Sequence, residues 1–174
     1  MIKTVGWMFG VSLLACACAG SPSSPYAGQQ SRDVKALSAD EVESLLAGKG
    51  MGFAKAAELN GFPGPAHVLE LAPELRLTDE QRRQTEALFA SMQEKAQSAG
   101  RALVDEERRL DALFRTKAVT SESMARSLSR IGELQAEVRS AHLAAHVAQA
   151  RILTDEQAAR YASLRGYGEG SHHH

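Results

Sequence analysis

From Thr78 onward the chain alternates apolar and polar residues with a helical period. Phe89, Met92, Ala96, Ala99, Leu103, Leu110 and Leu113 follow one another mostly at steps of three and four, which places them on one face of a helix. Gly100 alone interrupts this face, at a cost of about 1 kcal/mol. The pattern predicts a helix to about Arg115, on the order of 55 Å long. Thr116 to Thr120 reads as a short connection. A second helix, Ser121 to about Ile152, carries Met124, Leu128, Ile131, Val138 and Ala145 on a similar seam. Two long amphipathic helices joined by a short turn form an antiparallel αα-hairpin.

Shorter elements flank the hairpin. Ser38-Ala39-Asp40-Glu41 opens a helix with Val42, Leu45 and Leu46 on one side, ended by Gly48 and Gly50. Met51 to Leu71 is apolar but punctuated. A helical turn around Phe53 to Leu59 is broken by Asn60-Gly61-Phe62-Pro63-Gly64-Pro65, because each proline removes a donor and restricts the residue before it. Pro65 then suits the first position of a further short helix. This piece is too hydrophobic for a free linker and is expected to fold back on the hairpin, as a structural plug or with chemistry of its own.

One pentapeptide occurs twice: Leu77-Thr78-Asp79-Glu80-Gln81 and Leu153-Thr154-Asp155-Glu156-Gln157. Each opens a helix with a capping box, in which the threonine hydroxyl accepts from the third backbone N–H and the glutamine reaches back to the cap. The second copy opens a last helix through Tyr161 and Leu164 to Arg165, capped by Gly166. The predicted fold is all-α: a long antiparallel helical hairpin with flanking short helices.

The amino terminus changes the setting. Lys3, an apolar run from Val5 to Leu14 and small residues after it make residues 1–19 a secretory signal peptide. Leu13-Leu14-Ala15-Cys16 resembles a lipobox, which would leave Cys16 lipidated; ordinary signal cleavage is the competing route. Both cysteines lie here, so the mature chain has no disulfide. Residues 20–36 read as a flexible linker, 37–76 as the short helices and fold-back segment, 77–167 as the hairpin domain, and 168–174 as a His-tipped tail that is either a natural loose metal trap or an expression remnant.

Composition excludes more than it assigns. A formal charge of −1 gives no argument for nucleic acid, and the 5% aromatic content suits close-packed helices better than a β-sandwich. No catalytic constellation is present: there is no mature cysteine, nucleophile elbow or phosphate loop, so no enzyme is expected. His142 and His146 stand four residues apart on one helix face, a spacing that can chelate a divalent ion. A turn near Ala118 brings His142 opposite the Met92–Ala96 turn, with Met92 as a soft ligand, whereas Glu106 is out of reach. With His67 and Glu70 from the fold-back segment, and Glu58 nearby, the candidate metal set is His67, Glu70, His142 and His146, zinc foremost. No cofactor is otherwise required. The alternative is structural: His142 in a polar contact within the hairpin, His146 facing solvent. Glu106, on the seam, is expected to pair across the hairpin, for instance with Arg130, or to mark a wetter stretch.

An export signal, a long helical hairpin and two Leu-Thr-x-x-Gln motifs (Leu77, Thr78, Gln81; Leu153, Thr154, Gln157) resemble the Spy/CpxP family of bacterial periplasmic proteins, which also includes zinc-resistance-associated and CnrX-type metal-sensing relatives. The resemblance covers about Leu71 to Tyr167. It implies a periplasmic homodimer, membrane-anchored where Cys16 is lipidated, that binds unfolding envelope proteins without ATP. A metal-binding or metal-sensing protein, and a structural or regulatory lipoprotein, are the other roles it allows. The CnrX-type relatives favour helix-borne His and Glu ligands. The chain departs from Spy in lacking net positive charge and in carrying the apolar segment from Met51 to Leu71, which could fill the concave face where clients would bind.

Overall fold

A computed structural model describes residues 24–167 and is all-helical over them. The signal peptide, Cys16 and the His-tipped tail lie outside the described residues. The chain divides at Gln30 into two units. The described part of the first consists of turns, with Ala27 N–H donating to Ser24 O at 2.9 Å and Gln29 N–H to Tyr26 O at 3.0 Å.

The second unit is built on the expected hairpin. Helices α1 (Ala39–Leu46), α2 (Lys55–Glu58) and α3 (Pro65–Glu70) precede the long α4 (Asp79–Arg115) and α5 (Ser121–Ala150), and α6 (Asp155–Leu164) ends it. The sequence signals act where they stand. Ser38, Thr78, Thr120 and Thr154 each cap a helix with a complete capping box. Pro65 is the first residue of α3. At the hairpin turn Lys117 takes a left-handed conformation (φ 58°), and Ala118 N–H closes on Leu113 O at 3.0 Å. This is the helix-ending geometry glycine usually adopts.

The segment before α4, with the fold-back piece at its end, packs on the hairpin and completes its core. Val34 and Leu45 are buried together with Leu103, Val104, Ile131, Leu134 and Val138. A second cluster joins Val68 and Leu75 to Leu153 and Tyr161. The expected linker of residues 20–36 is therefore too long at its C-terminal end: Val34 is 2% exposed, and Asp33 and Lys35 pair with Arg108 and Asp111 of α4. Gly100 also gains a reason. A Cβ there would lie 2.3 Å from Leu45 O, so α1 can seat on α4 only where α4 lacks a side chain.

Two expectations for the hairpin seam are corrected. Met124 and Leu128 are exposed, and the buried line of α5 is instead Ser127, Ile131, Leu134, Val138, His142, Ala145 and Gln149. Leu128 lies one residue, about 100° of helix, from the buried Ser127 and so falls off this line, and Met124 stands in the first turn of α5, next to the hairpin turn, where it stays on the surface. Glu106 is buried but pairs with Arg109 on its own helix at 3.1 Å, while Arg130 pairs with Glu133 and Glu137. One helical turn of separation offers Glu106 a nearer cation than the facing helix does. Glu107 beside it has its carboxyl raised above the usual range, by burial first and then by the Glu106 charge.

Candidate functional site

The two motif copies meet. Gln81 Nε2 donates to Ile152 O at 2.9 Å and to Gln157 Oε1 at 2.8 Å; Gln157 Nε2 donates to Leu75 O at 3.1 Å and to Gln81 Oε1 at 3.0 Å. Each Oε1 also accepts its own cap N–H, from Thr78 at 3.1 Å and Thr154 at 3.0 Å. Both amides thereby use two donor hydrogens and two acceptor positions, their full capacity. Sequence reasoning found each cap but not this clamp, because local spacing cannot show that two caps face one another. The clue was the shared glutamine: a capping box works with Glu or Gln, but only an amide can also donate across. The clamp continues inward, where Gln149 Nε2 donates to Thr85 Oγ1 at 3.2 Å and Thr85 Oγ1–H to Gln81 O at 2.8 Å.

This ties the start of α4 to the start of α6 and thus closes the open end of the hairpin. A family model, that of LTXXQ motif family proteins, matches residues 66–165, more than half of the chain. The chain belongs to the LTXXQ motif family, also known as the Spy/CpxP family. Neither the curated proteins nor the solved structures contain a significant match. Family proteins are typically periplasmic and generally non-enzymatic chaperone or stress proteins.

Beside the clamp lies a polar cluster centred on Glu58, at the end of α2. Its Oε1 accepts from Tyr161 O–H at 2.5 Å and its Oε2 from Gly64 N–H at 3.2 Å. His67 Nδ1 stands 3.7 Å from Oε1, His146 Nδ1 3.6 Å from Oε2, and Arg165 Nε 3.6 Å from Oε1. One carboxylate thus joins α2, α3, α5 and α6. Burial, followed by the Glu58 hydrogen bond and charge, pushes the Tyr161 phenol far above its ordinary value.

The structure separates the four candidate metal ligands. His67 and His146 converge on Glu58, Glu70 is exposed, and His142 is buried in a stack with Phe53, ring centroids 6.4 Å apart. Among the described residues no group of three or more His, Cys, Asp or Glu side chains is arranged to hold a metal ion. His146 Nδ1–H donates to Phe62 O at 2.7 Å, and Glu58 accepts from Tyr161. The structural alternative also changes, since His146 is 8% exposed and does not face solvent. Burial, then the neighbouring His146, holds the His142 imidazole below the ordinary histidine range.

The hairpin has two distinct broad faces. On α4, Gln93, Gln97 and Gly100 touch the N-terminal segment. Leu88, Ser91, Lys95, Ser98 and Ala102 lie on the opposite side of the helix, where they line a groove of about 1040 Å³ with Ala141, Ala144 and Ala148 of α5. The segment therefore fills one face and leaves the other open. Small side chains floor the groove, with Lys95, Arg130, Glu133 and Glu137 among its polar residues.

Proposed function

We propose that this protein acts in the periplasm as an ATP-independent chaperone, holding apolar stretches of unfolding envelope proteins on the open α4–α5 face. The observation that carries this reading is the groove of about 1040 Å³ running along both long helices, with an alanine- and serine-rich floor and mixed charges around it. Small side chains let an extended or helical client approach the backbone closely, and contact along a long shallow surface needs no particular sequence. Mixed charge suits clients of either sign, so capture rests on apolar contact rather than on the net positive charge that the chain lacks.

Light scattering from a reduced, aggregating model protein tests this. At stoichiometric ratio the mature protein should suppress the scattering. Ala144→Glu, at an exposed position on the groove floor, should abolish suppression while leaving the melting temperature within about 2 °C, as expected for a surface substitution. Absence of suppression by the parent protein would overturn the proposal.

A further inference from the structure

On the covered face, between the fold-back segment and the hairpin, lies a second pocket of about 490 Å³. This is within the range of small-molecule sites. Its apolar lining comes from Phe89 and Met92 of α4 and from Met51 and Ala54 of the fold-back segment. His142 also lines it. That residue is 3% exposed, and its Nε2 has no hydrogen-bond partner among the described residues. A buried polar atom left unpaired is costly, and a histidine placed only for packing could be replaced by phenylalanine in the same stack against Phe53.

The charges around the pocket are unequal in availability. Glu58 lines it, but both carboxylate oxygens already accept hydrogen bonds, from Tyr161 and from Gly64. Lys49 and Lys55 line it too. Among the described residues Lys49 is held only by a solvent-exposed pair with Glu43 at 3.4 Å, an interaction of little strength. Two lysines against one hydrogen-bonded carboxylate leave the lining with a positive balance of charge, over an apolar body with one unsatisfied nitrogen.

We propose that this pocket binds a small carboxylic acid with an apolar body, its chain between Phe89 and Met92 and its carboxylate accepting from His142 Nε2–H in the field of Lys49 and Lys55. Such a ligand would touch both the fold-back segment and the hairpin and so fasten one to the other. The pocket shares Met92 with the client groove but none of the groove's other lining residues, and Ala144 lies outside it, so either reading can fail without the other.

Decanoate is the probe, with decanol as its uncharged counterpart, followed by titration calorimetry and by the ε-methyl NMR signals of Met51 and Met92. Decanoate should bind, shift both methyl signals and raise the melting temperature; decanol should bind at least tenfold more weakly. His142→Phe keeps the ring stack and should weaken decanoate at least tenfold. The double substitution Lys49→Gln, Lys55→Gln, at exposed positions, should weaken it severalfold and remove its salt dependence, which provides a test even if His142→Phe fails to fold. No binding of decanoate, equal binding of decanol, methyl signals that do not move, or full affinity in a folded His142→Phe protein or in the lysine variant would each overturn the proposal.

Discussion

Gln81 and Gln157 show how one side chain can serve two levels of structure. Within its own helix each completes a capping box, and glutamate would do that equally well. Across the hairpin each donates to the other and to a backbone carbonyl. Gln81→Glu keeps the cap and replaces two donated hydrogen bonds by a carboxylate facing Ile152 O and Gln157 Oε1. We expect it to cost about 1–3 kcal/mol in urea unfolding. An unchanged midpoint would show that the motif is only a cap. His142 makes a second point at this scale. Its imidazole titrates below the ordinary range through burial and, secondarily, His146. The unfolded chain therefore takes up a proton before the native one does. The stability that His142 contributes is complete above its unfolded pKa and is lost as pH falls below it. The urea midpoint should fall between pH 7.5 and 5.5, and fall less in His142→Phe; equal slopes would assign the acid sensitivity to other groups.

At the scale of elements, close approach outweighs propensity. Gly100 in mid-helix would ordinarily gain about 1 kcal/mol on substitution by alanine. Here the added Cβ would meet Leu45 O at 2.3 Å, so we expect Gly100→Ala to destabilise instead, by about 1–3 kcal/mol, with hydrogen exchange in α1 rising first. Lys117 is the converse: a non-glycine residue at φ 58° in an exposed turn. Lys117→Gly should stabilise modestly, by up to about 1 kcal/mol, as a rise in melting temperature. These elements also show what could be read from the sequence and what could not. Caps, prolines and seam periodicity are local, so the hairpin, the α3 start and the motif helices were legible. The phase of α5 near its tip was not, because Ser127 and Leu128 are neighbours at the edge of one helix face, and packing rather than polarity decides which of them is covered. The candidate site was legible only in part. His67 and His146 do come to one carboxylate, that of Glu58, whereas Glu70 is exposed and His142 stacks on Phe53, and which of them meet depends on how the fold-back segment seats on the hairpin. Glu58 itself, an acid set between Ala57 and Leu59 in an apolar stretch, was the available hint that a buried partner existed.

For the whole molecule the central question is whether residues 31–76 are a strap laid on a finished hairpin or part of what holds the hairpin together. Two features favour the second. The main buried cluster mixes Val34 and Leu45 with Leu103, Ile131 and Leu134, and the second mixes Val68 and Leu75 with Leu153 and Tyr161. Neither cluster is closed by α4, α5 and α6 alone. The Glu58 carboxylate then joins α2 to α6 through Tyr161. A pair of antiparallel helices has only a seam to bury, and the segment converts that seam into a core. Such a design explains how one face can stay open: the covered face supplies the stability that an exposed groove would otherwise undermine. Leu45→Ala distinguishes the two architectures. If the segment is integral, losing this 3%-exposed side chain should cost about 2–5 kcal/mol, and α1, α4 and α5 should unfold in one urea transition at a lower midpoint. A strap would instead release locally, with faster exchange confined to α1 and the helical signal of α4 and α5 unfolding at the parent midpoint.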